Sequence, residues 1–263
     1  MPDLNSLKDV SLLVTHYNRT SSLTKLLEVL DAQNLRFGEI VISDDGSNQE
    51  SIEKLKLLQK IHSFTLVLTP QNKGLGNNIN KGQKAITTPY TLYVQEDFVP
   101  KPLFAEKLVK AISFMDERPE LDMVRFYAYF KYPFLKPYRN GFSDMIFNAW
   151  PWYWGYRKFY FYSDHPHLRR SNFLEKFGRY TEGTSGDVTE YQMMIKVIQK
   201  KGKALFYDDY ESLFDQENTS DEPSTMTRAN LRENKNPIIE LIRHCYRHLK
   251  FNFNYHFSNY PSL

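Results

Sequence analysis

At 263 residues, 41% of them hydrophobic, the chain suits one large domain, or one domain with a sizeable insertion, around a real core. Its net charge of +3 is too mild to point to nucleic acid. One cysteine, Cys245, excludes an intrachain disulfide and a cysteine-rich zinc site and fits a reducing compartment. The opening MPDLNSLKDV has no basic region followed by an apolar stretch, so it does not read as a signal peptide. No apolar run nears the roughly 18 residues of a membrane span. A cytoplasmic location is expected, with or without peripheral attachment to the inner face of a membrane.

Along the chain, Val10 to Thr15 is a short apolar run, the pattern of a strand buried on both faces. Leu23, Leu26, Leu27 and Leu30 then follow amphipathic helical spacing, with Thr20 or Ser21 available as the cap. Glu39 to Ser43 predicts a second strand, closed by Asp44-Asp45-Gly46-Ser47, and Ile52, Leu55 and Leu58 pattern the next helix. Phe64 to Leu68 reads as a third strand, Gly76 to Ile86 as a helix, and Tyr90 to Val94 as a fourth strand ending at Gln95-Glu96-Asp97. Such alternation implies right-handed βαβ units, a parallel sheet and ligand binding beyond the carboxyl ends of its strands. His16 to Arg19, Asp44 to Ser47, Asn72 to Gly74 and Gln95 to Asp97 all fall there, so four polar clusters should line one edge.

The second half is less regular. Phe104, Leu108 and Ile112 suggest a helix, and Asp122 to Tyr129 a strand. Phe126 to Tyr162 carries 18 aromatic residues, and if Trp150, Trp152, Trp154 and Tyr156 lie on a strand they share one face. Tyr191, Met194, Ile195 and Ile198 return to helical spacing, with Gly202 placed as the stop. Gln216 to Lys235 is polar and poorly patterned. Pro237 opens a last helix with Ile238, Ile242, Cys245 and Leu249 on one face and Arg243, Arg247 and Lys250 around it.

Taken in order, VTHYNR, SDDGS, NKGLGNNINKG and YVQEDFVPKP resemble the strand-end motifs of the family 2 glycosyltransferases. Farther on, LRRSNFLEKFGRYTEGTSGDVTEYQM is similar to the family's segment in which an arginine-bearing turn precedes an acidic base motif and a helix. The likeness covers roughly residues 10–205. It implies a GT-A-type α/β fold, a mostly parallel sheet flanked by helices with a Rossmann-like nucleotide-binding half. Residues 1–236 would form the single domain, with about 1–100 binding nucleotide-sugar and about 101–236 the acceptor, and 237–263 would follow as a basic, aromatic helix and tail. The activity implied is inverting transfer of a sugar, from a UDP-sugar by family habit, in bacterial surface-polysaccharide synthesis.

Residue by residue, Thr15 and Tyr17 can meet the base by hydrogen bond and stacking, beside Arg19 of the same turn. Asp44 or Asp45 can accept from the base edge or ribose. The same Asp-Asp-Gly-Ser also reads as a plain turn and helix cap. Asn72, Lys73 and Gly74, with Gly76 and Lys81, can admit a diphosphate to a helix start. A divalent cation, manganese or magnesium, would rest on Asp97 with Glu96 beside it, because Gln95 stands where the family usually has an acid. Some relatives complete this site with a downstream histidine; here the comparable stretch reads LFDQENTS. Glu190 or Asp187 would be the general base, each also readable as a helix N-terminal acid favoured by the dipole.

His167 can touch donor phosphate or acceptor, and Trp150, Trp152 and Trp154 offer stacking faces to sugar rings. The basic, aromatic C-terminal segment can rest on an anionic membrane that holds a lipid-linked glycan, or pack on the domain. Two other classes compete. A sugar nucleotidyltransferase should carry a Gly-rich, arginine-bearing loop after the first strand, which VTHYNRTSS lacks. A relative that binds nucleotide or glycan without catalysis is separated from an enzyme by donor hydrolysis.

Overall fold

The computed structural model describes residues 6–150, 155–217 and 237–260. Its first half is built as the alternation predicts. Strands β1 (Ser6–His16), β2 (Arg36–Asp44), β3 (Thr65–Val67) and β4 (Tyr90–Gln95) are parallel, joined through helices α1 (Thr20–Ala32), α2 (Gln49–His62) and α3 (Leu75–Lys84). Thr15 lies level with Ser43 on one side and Gln95 on the other, so the strand ends are flush and deliver their polar clusters to one edge. Alternate residues of β1 feed opposite faces: Leu12 and Val14 join a core with the α1 leucines, and Leu13 joins another with Ile79 of α3.

After the short β5 (Phe98–Pro100) and α4 (Phe104–Glu117) come β6 (Met123–Arg125), β7 (Leu135–Pro137), β8 (Phe142–Met145), β9 (His167–Arg170), helices α5 (Phe173–Phe177) and α6 (Gly186–Gln199), β10 (Ala204–Tyr207), β11 (Phe214–Gln216) and α7 (Pro237–Phe257). The large sheet runs β3-β2-β1-β4-β9-β6-β10-β8-β7, and β11 pairs with β5 in a separate ribbon. Strand β9 runs antiparallel to both β4 and β6 and joins the parallel half to the rest.

Several local expectations change. The strand expected over Asp122 to Tyr129 stops at Arg125, because the Phe126 amide leaves the ladder and donates to the Pro166 carbonyl at 3.1 Å. The LRR stretch is strand β9 rather than a turn, and Arg169 is buried in it by bonds to the Tyr180 hydroxyl (2.6 Å) and Gln83 (2.7 Å). Arg19, not Thr20 or Ser21, stands at the N-cap of α1. At the end of α6 the left-handed residue is Lys201 (φ 55°), while Gly202 is held small by Val197, whose Cγ1 would lie 2.7 Å from an added Cβ. Trp150 is in a coil and Tyr156 in a 3-10 turn, so the alternating aromatics do not share a strand face. Trp152 and Trp154 lie outside the described residues.

Helix α7 packs on the domain through the side opposite Ile242, Cys245 and Leu249. Phe251 packs inward against Tyr156, Phe159 and Tyr191, and Gln199 of α6 donates to the carbonyls of Tyr255 (2.9 Å) and Ser258 (2.8 Å). Ile242, Cys245 and Leu249 face away from the domain and are exposed.

Candidate active site

At the end of β1, Thr15 turns into the sheet, where its hydroxyl lies 3.1 Å from that of Tyr93. Tyr17, two residues on, is half-buried. Asp44 is wholly enclosed: His16 Nδ1 lies 2.8 Å away, the Gly46 and Ser47 amides donate at 3.1 and 3.0 Å, and the Ser47 hydroxyl adds a further bond. Burial acts to raise its pKa, but the bonds from His16 and Ser47 outweigh it and the value is lowered. Asp44 therefore builds the turn, and the role of receiving base or ribose does not fall to it. Asp45 accepts the amides of Lys73 (2.9 Å) and Gly74 (2.8 Å), one on each oxygen, which pins the exposed Asn72-Lys73 turn over the strand end. Each Asp45 oxygen keeps a lone pair for a ligand.

At the start of α3, Gly76 does not serve to open space for a ligand. A Cβ on Gly76 would lie 2.2 Å from the Thr181 carbonyl oxygen, so this glycine serves close packing against the 181–184 loop. Glu182 occupies the flank, accepting from Asn77 (2.7 Å) and Asn80 (2.8 Å). Lys81 points back under the sheet, donating to the carbonyls of Asp44 and Val67, and burial lowers its pKa to about 8. Of the cations proposed for phosphate, Lys73 is the one exposed at the edge.

The β4 end is electrostatically dense. Asp97 is buried, its Oδ2 lying 3.3 Å from Arg19 Nη1 and accepting from Gln216 at 3.0 Å. Glu96 lies 3.8 Å from the same guanidinium. Gln216 arrives because β11 pairs with β5, and the Glu217 amide donates to the Asp97 carbonyl at 2.8 Å. The LFDQ stretch thus reaches the acidic motif as the resemblance implies, with an amide in place of a histidine. Asp97 Oδ1 is buried and has no hydrogen-bond partner. A hard oxygen donor left in that state fits one protein ligand of a magnesium or manganese ion that draws its other ligands from water and phosphate. Among the described residues no three acidic, histidine or cysteine side chains form a closed cage.

A second group of ionisable residues stands across the β9 junction. Glu190, half-buried in the first turns of α6, accepts the Asp164 amide at 3.1 Å. Burial first and the Asp164 charge second raise its pKa, and burial likewise raises that of Asp164. Asp164 accepts from the Tyr162 hydroxyl at 2.6 Å while its Oδ2 is buried and unpaired. Arg125, held by the Tyr160 carbonyl (2.7 Å) and Ser163 (2.6 Å), adds a positive charge that favours the ionised form of Glu190. Asp187 lies half-buried one turn earlier.

His167 is not at the edge: it lies fully buried between Tyr93 and Tyr162, and burial holds its pKa well below the usual value. Trp150 is exposed. Arg125, Asp164 and Gln216 join the site without a motif of their own in the sequence. Only the placing of LFDQENTS opposite the acidic motif carried a signal for the last.

The chain matches Glycosyl transferase family 2 over residues 11–178. It is 31% identical over 101 residues to EpsH of Bacillus subtilis (strain 168), covering 38% of this chain and 29% of that protein. Against poly-beta-1,6-N-acetyl-D-glucosamine synthase of Staphylococcus aureus (strain COL) it is 26% identical over 100 residues, 37% of this chain and 24% of the synthase. The chain thus spans under a third of the length of these curated relatives. Among solved structures, S. aureus TarS 1-349 in complex with UDP-GlcNAc superimposes with a TM-score of 0.61 at 18% identity, covering 95% of this chain and 73% of that one. The mannosyltransferase PcManGT of Pyrobaculum calidifontis, in complex with GDP-Man and Mn2+, gives 0.59 at 13% identity, covering 100% and 68%. At these identities the structural likeness shows a shared fold.

Proposed function

Since the chain belongs to glycosyl transferase family 2, we propose that it moves a sugar from a nucleoside-diphosphate sugar to an acceptor hydroxyl with inversion at the anomeric carbon. One observation carries this reading. Asp45 with the Asn72-Lys73 turn, Asp97 with its unpaired Oδ1, and Asp164 with Glu190 of α6 beside it lie along the one sheet edge where β2 and β4 end and the antiparallel β9 begins. Glu190 takes the acceptor proton as the hydroxyl oxygen bonds to the anomeric carbon, and the carbon–oxygen bond to the diphosphate breaks. Asp97 and Glu96 would hold a divalent cation, which would supply positive charge against that developing on the leaving diphosphate. A UDP-sugar is the favoured donor, supported by the UDP-GlcNAc complex of TarS. The similar poly-N-acetylglucosamine synthase supports a role in bacterial surface-polysaccharide synthesis, on a glycan or lipid-linked glycan. We place the protein in the cytoplasm, peripheral to the membrane through the exposed apolar side of α7.

A thermal-shift panel of nucleoside diphosphates with and without manganese tests this. UDP should stabilise the protein most, with a further gain from manganese. An equal or larger shift with ADP overturns the base assignment. A second reading, a binder without catalysis, is favoured by Gln95 in the acidic motif and by Arg19 pairing with Asp97. Absence of donor hydrolysis and of transfer to any acceptor would establish it.

A further inference from the structure

Behind Glu190 runs a buried chain of hydrogen bonds that the transfer step above leaves unused. Arg169 Nη1 donates to the Tyr180 hydroxyl at 2.6 Å, the Tyr180 and Tyr162 hydroxyls bond to each other, and Tyr162 donates to Asp164 Oδ1 at 2.6 Å. All four residues are buried. The donors fix the direction of this chain. A guanidinium only donates, and each hydroxyl has a single hydrogen to give. Tyr180 therefore receives from Arg169 and gives to Tyr162, which gives to Asp164. The second Arg169 bond goes to the neutral Gln83 oxygen at 2.7 Å, so the carboxylate at the far end is the anion of the chain.

That direction keeps Asp164 ionised at neutral pH. A proton on Oδ1 would meet the Tyr162 hydrogen, and turning both hydroxyls round would set the Tyr180 hydrogen against the Arg169 donor. A proton on Oδ2 would be buried without an acceptor, because that oxygen has no hydrogen-bond partner. Burial still raises the Asp164 pKa, with Tyr162 and Arg169 acting against it. The Asp164 amide meanwhile donates to Glu190 Oε1 at 3.1 Å. Glu190 is half-buried while Asp164 is sealed in, so Glu190 is the member of the pair that an acceptor can reach. After burial, the Asp164 charge does most to raise the Glu190 pKa; Asp187 of the same helix adds to it and Arg125 of β6 opposes it. Tyr93 of β4 faces Asp164 and Tyr160 faces Glu190, and burial keeps both phenols neutral.

We propose that Asp164 is the positioning residue of the base: its amide fixes Glu190, and its carboxylate, held charged by the Arg169–Tyr180–Tyr162 chain, gives Glu190 its affinity for the acceptor proton. The proton that leaves the acceptor oxygen stops on Glu190, and none passes to Asp164. This catalytic use rests on the transferase reading above; the carboxyl pair itself does not.

Asp164→Asn removes the charge and keeps the amide, whereas Tyr162→Phe keeps the carboxyl and cuts its chain. Melting of wild type and of each variant, with and without Glu190→Gln, is followed from about pH 5 to about pH 9. In wild type the effect of Glu190→Gln should change with pH. With Asp164→Asn that change should shrink and be complete about one pH unit lower, the scale of a lost like charge, and Tyr162→Phe should move it in the same direction. The acid limb of UDP release from UDP-GlcNAc with manganese should move down with it. Should Asp164→Asn fail to fold, Tyr162→Phe carries both readings alone. If Asp164 serves only packing, its variants lower melting equally at every pH, with or without Glu190→Gln, and leave the limb in place; that result overturns the proposal. A shifted melting change without any UDP release keeps the charged pair and sinks the transferase reading. UDP release whose limb ignores both substitutions does the reverse.

Discussion

Asp97 and Arg19 hold opposite charges 3.3 Å apart, each side chain 7% exposed, and the second Asp97 oxygen has no partner. That geometry makes Asp97 a poised anion rather than a spent one. Asp97→Asn keeps the shape and the approach of Gln216, and Arg19 keeps Glu96 and the Glu217 carbonyl. The variant should melt near wild type yet lose the extra stabilisation that manganese adds to UDP. An undiminished manganese effect would move metal binding to Glu96 or remove it from the mechanism. Glu190 allows a sharper test. Glu190→Gln should cut turnover by about 10²–10⁴-fold with donor affinity near wild type, whereas Asp187→Asn should retain turnover.

The sign of the pH effect follows from burial. With a raised folded pKa, the folded protein holds the Glu190 proton more tightly than the unfolded chain does. The stability this brings is fully present below the unfolded value and is lost as pH rises through the folded one. Melting of Glu190→Gln relative to wild type should therefore improve between about pH 5 and about pH 9. Wild-type turnover should rise with pH above the ordinary carboxylate range. A flat difference in melting would remove Glu190 from its buried, charge-repelled environment.

At the scale of elements, the site depends on how closely α3 meets the loop that launches α6. Gly76→Ala drives a Cβ into backbone, 2.2 Å from the Thr181 oxygen and 2.9 Å from its carbon, and no side-chain rotation relieves that. We expect about 1–3 kcal/mol of destabilisation, the cost of overpacking, together with reduced turnover as the loop carries Glu190 away. Gly186→Ala at the start of α6 meets Leu75 Cδ2 at an ordinary 3.6 Å and should be neutral, or stabilising by about 0.5–1 kcal/mol. Denaturant titrations of both variants check the contrast, and equal stability would show that the loop gives way freely. These elements also mark what could be read without a structure. The parallel half was legible because β1, β2 and β4 are buried on both faces and declare themselves as apolar runs. Strand β9 was not, since His-Leu-Arg-Arg has no strand pattern and its arginines donate to Tyr180, Gln83, Leu121 and Met115, partners that only the fold brings to them. Asp44 and Lys81 misled for a related reason: a polar residue at a strand end can serve the turn as readily as a ligand.

At the scale of the whole molecule, α7 carries two faces with different fates. Its inner face is fastened by Phe251 and by Gln199. Its outer face sets Leu241, Ile242, Leu249, Phe253 and Phe257 in solvent, each more than 60% exposed. The apolar spacing of Ile242, Cys245 and Leu249 in the sequence is thus the spacing of an outward stripe. Glu240 is the sole acid of this helix, against Arg243, Arg247 and Lys250. No described helix is long and apolar enough to cross a membrane. An apolar stripe beside a positive margin instead fits a helix lying in the interface of an anionic bilayer. The 263-residue chain should co-sediment with phosphatidylglycerol vesicles, less so as salt screens the basic margin, and little with neutral phosphatidylcholine. Ile242→Glu/Leu249→Glu should keep the melting temperature, because neither side chain packs on the domain, and should lower vesicle affinity by at least about tenfold. That estimate follows from about 1.5–3 kcal/mol for each large apolar side chain no longer buried. UDP binding should be untouched, since the nucleotide edge lies on other elements. Vesicle binding that survives the double substitution would leave the basic margin alone as the contact, and absence of binding by wild type would remove the membrane from the account.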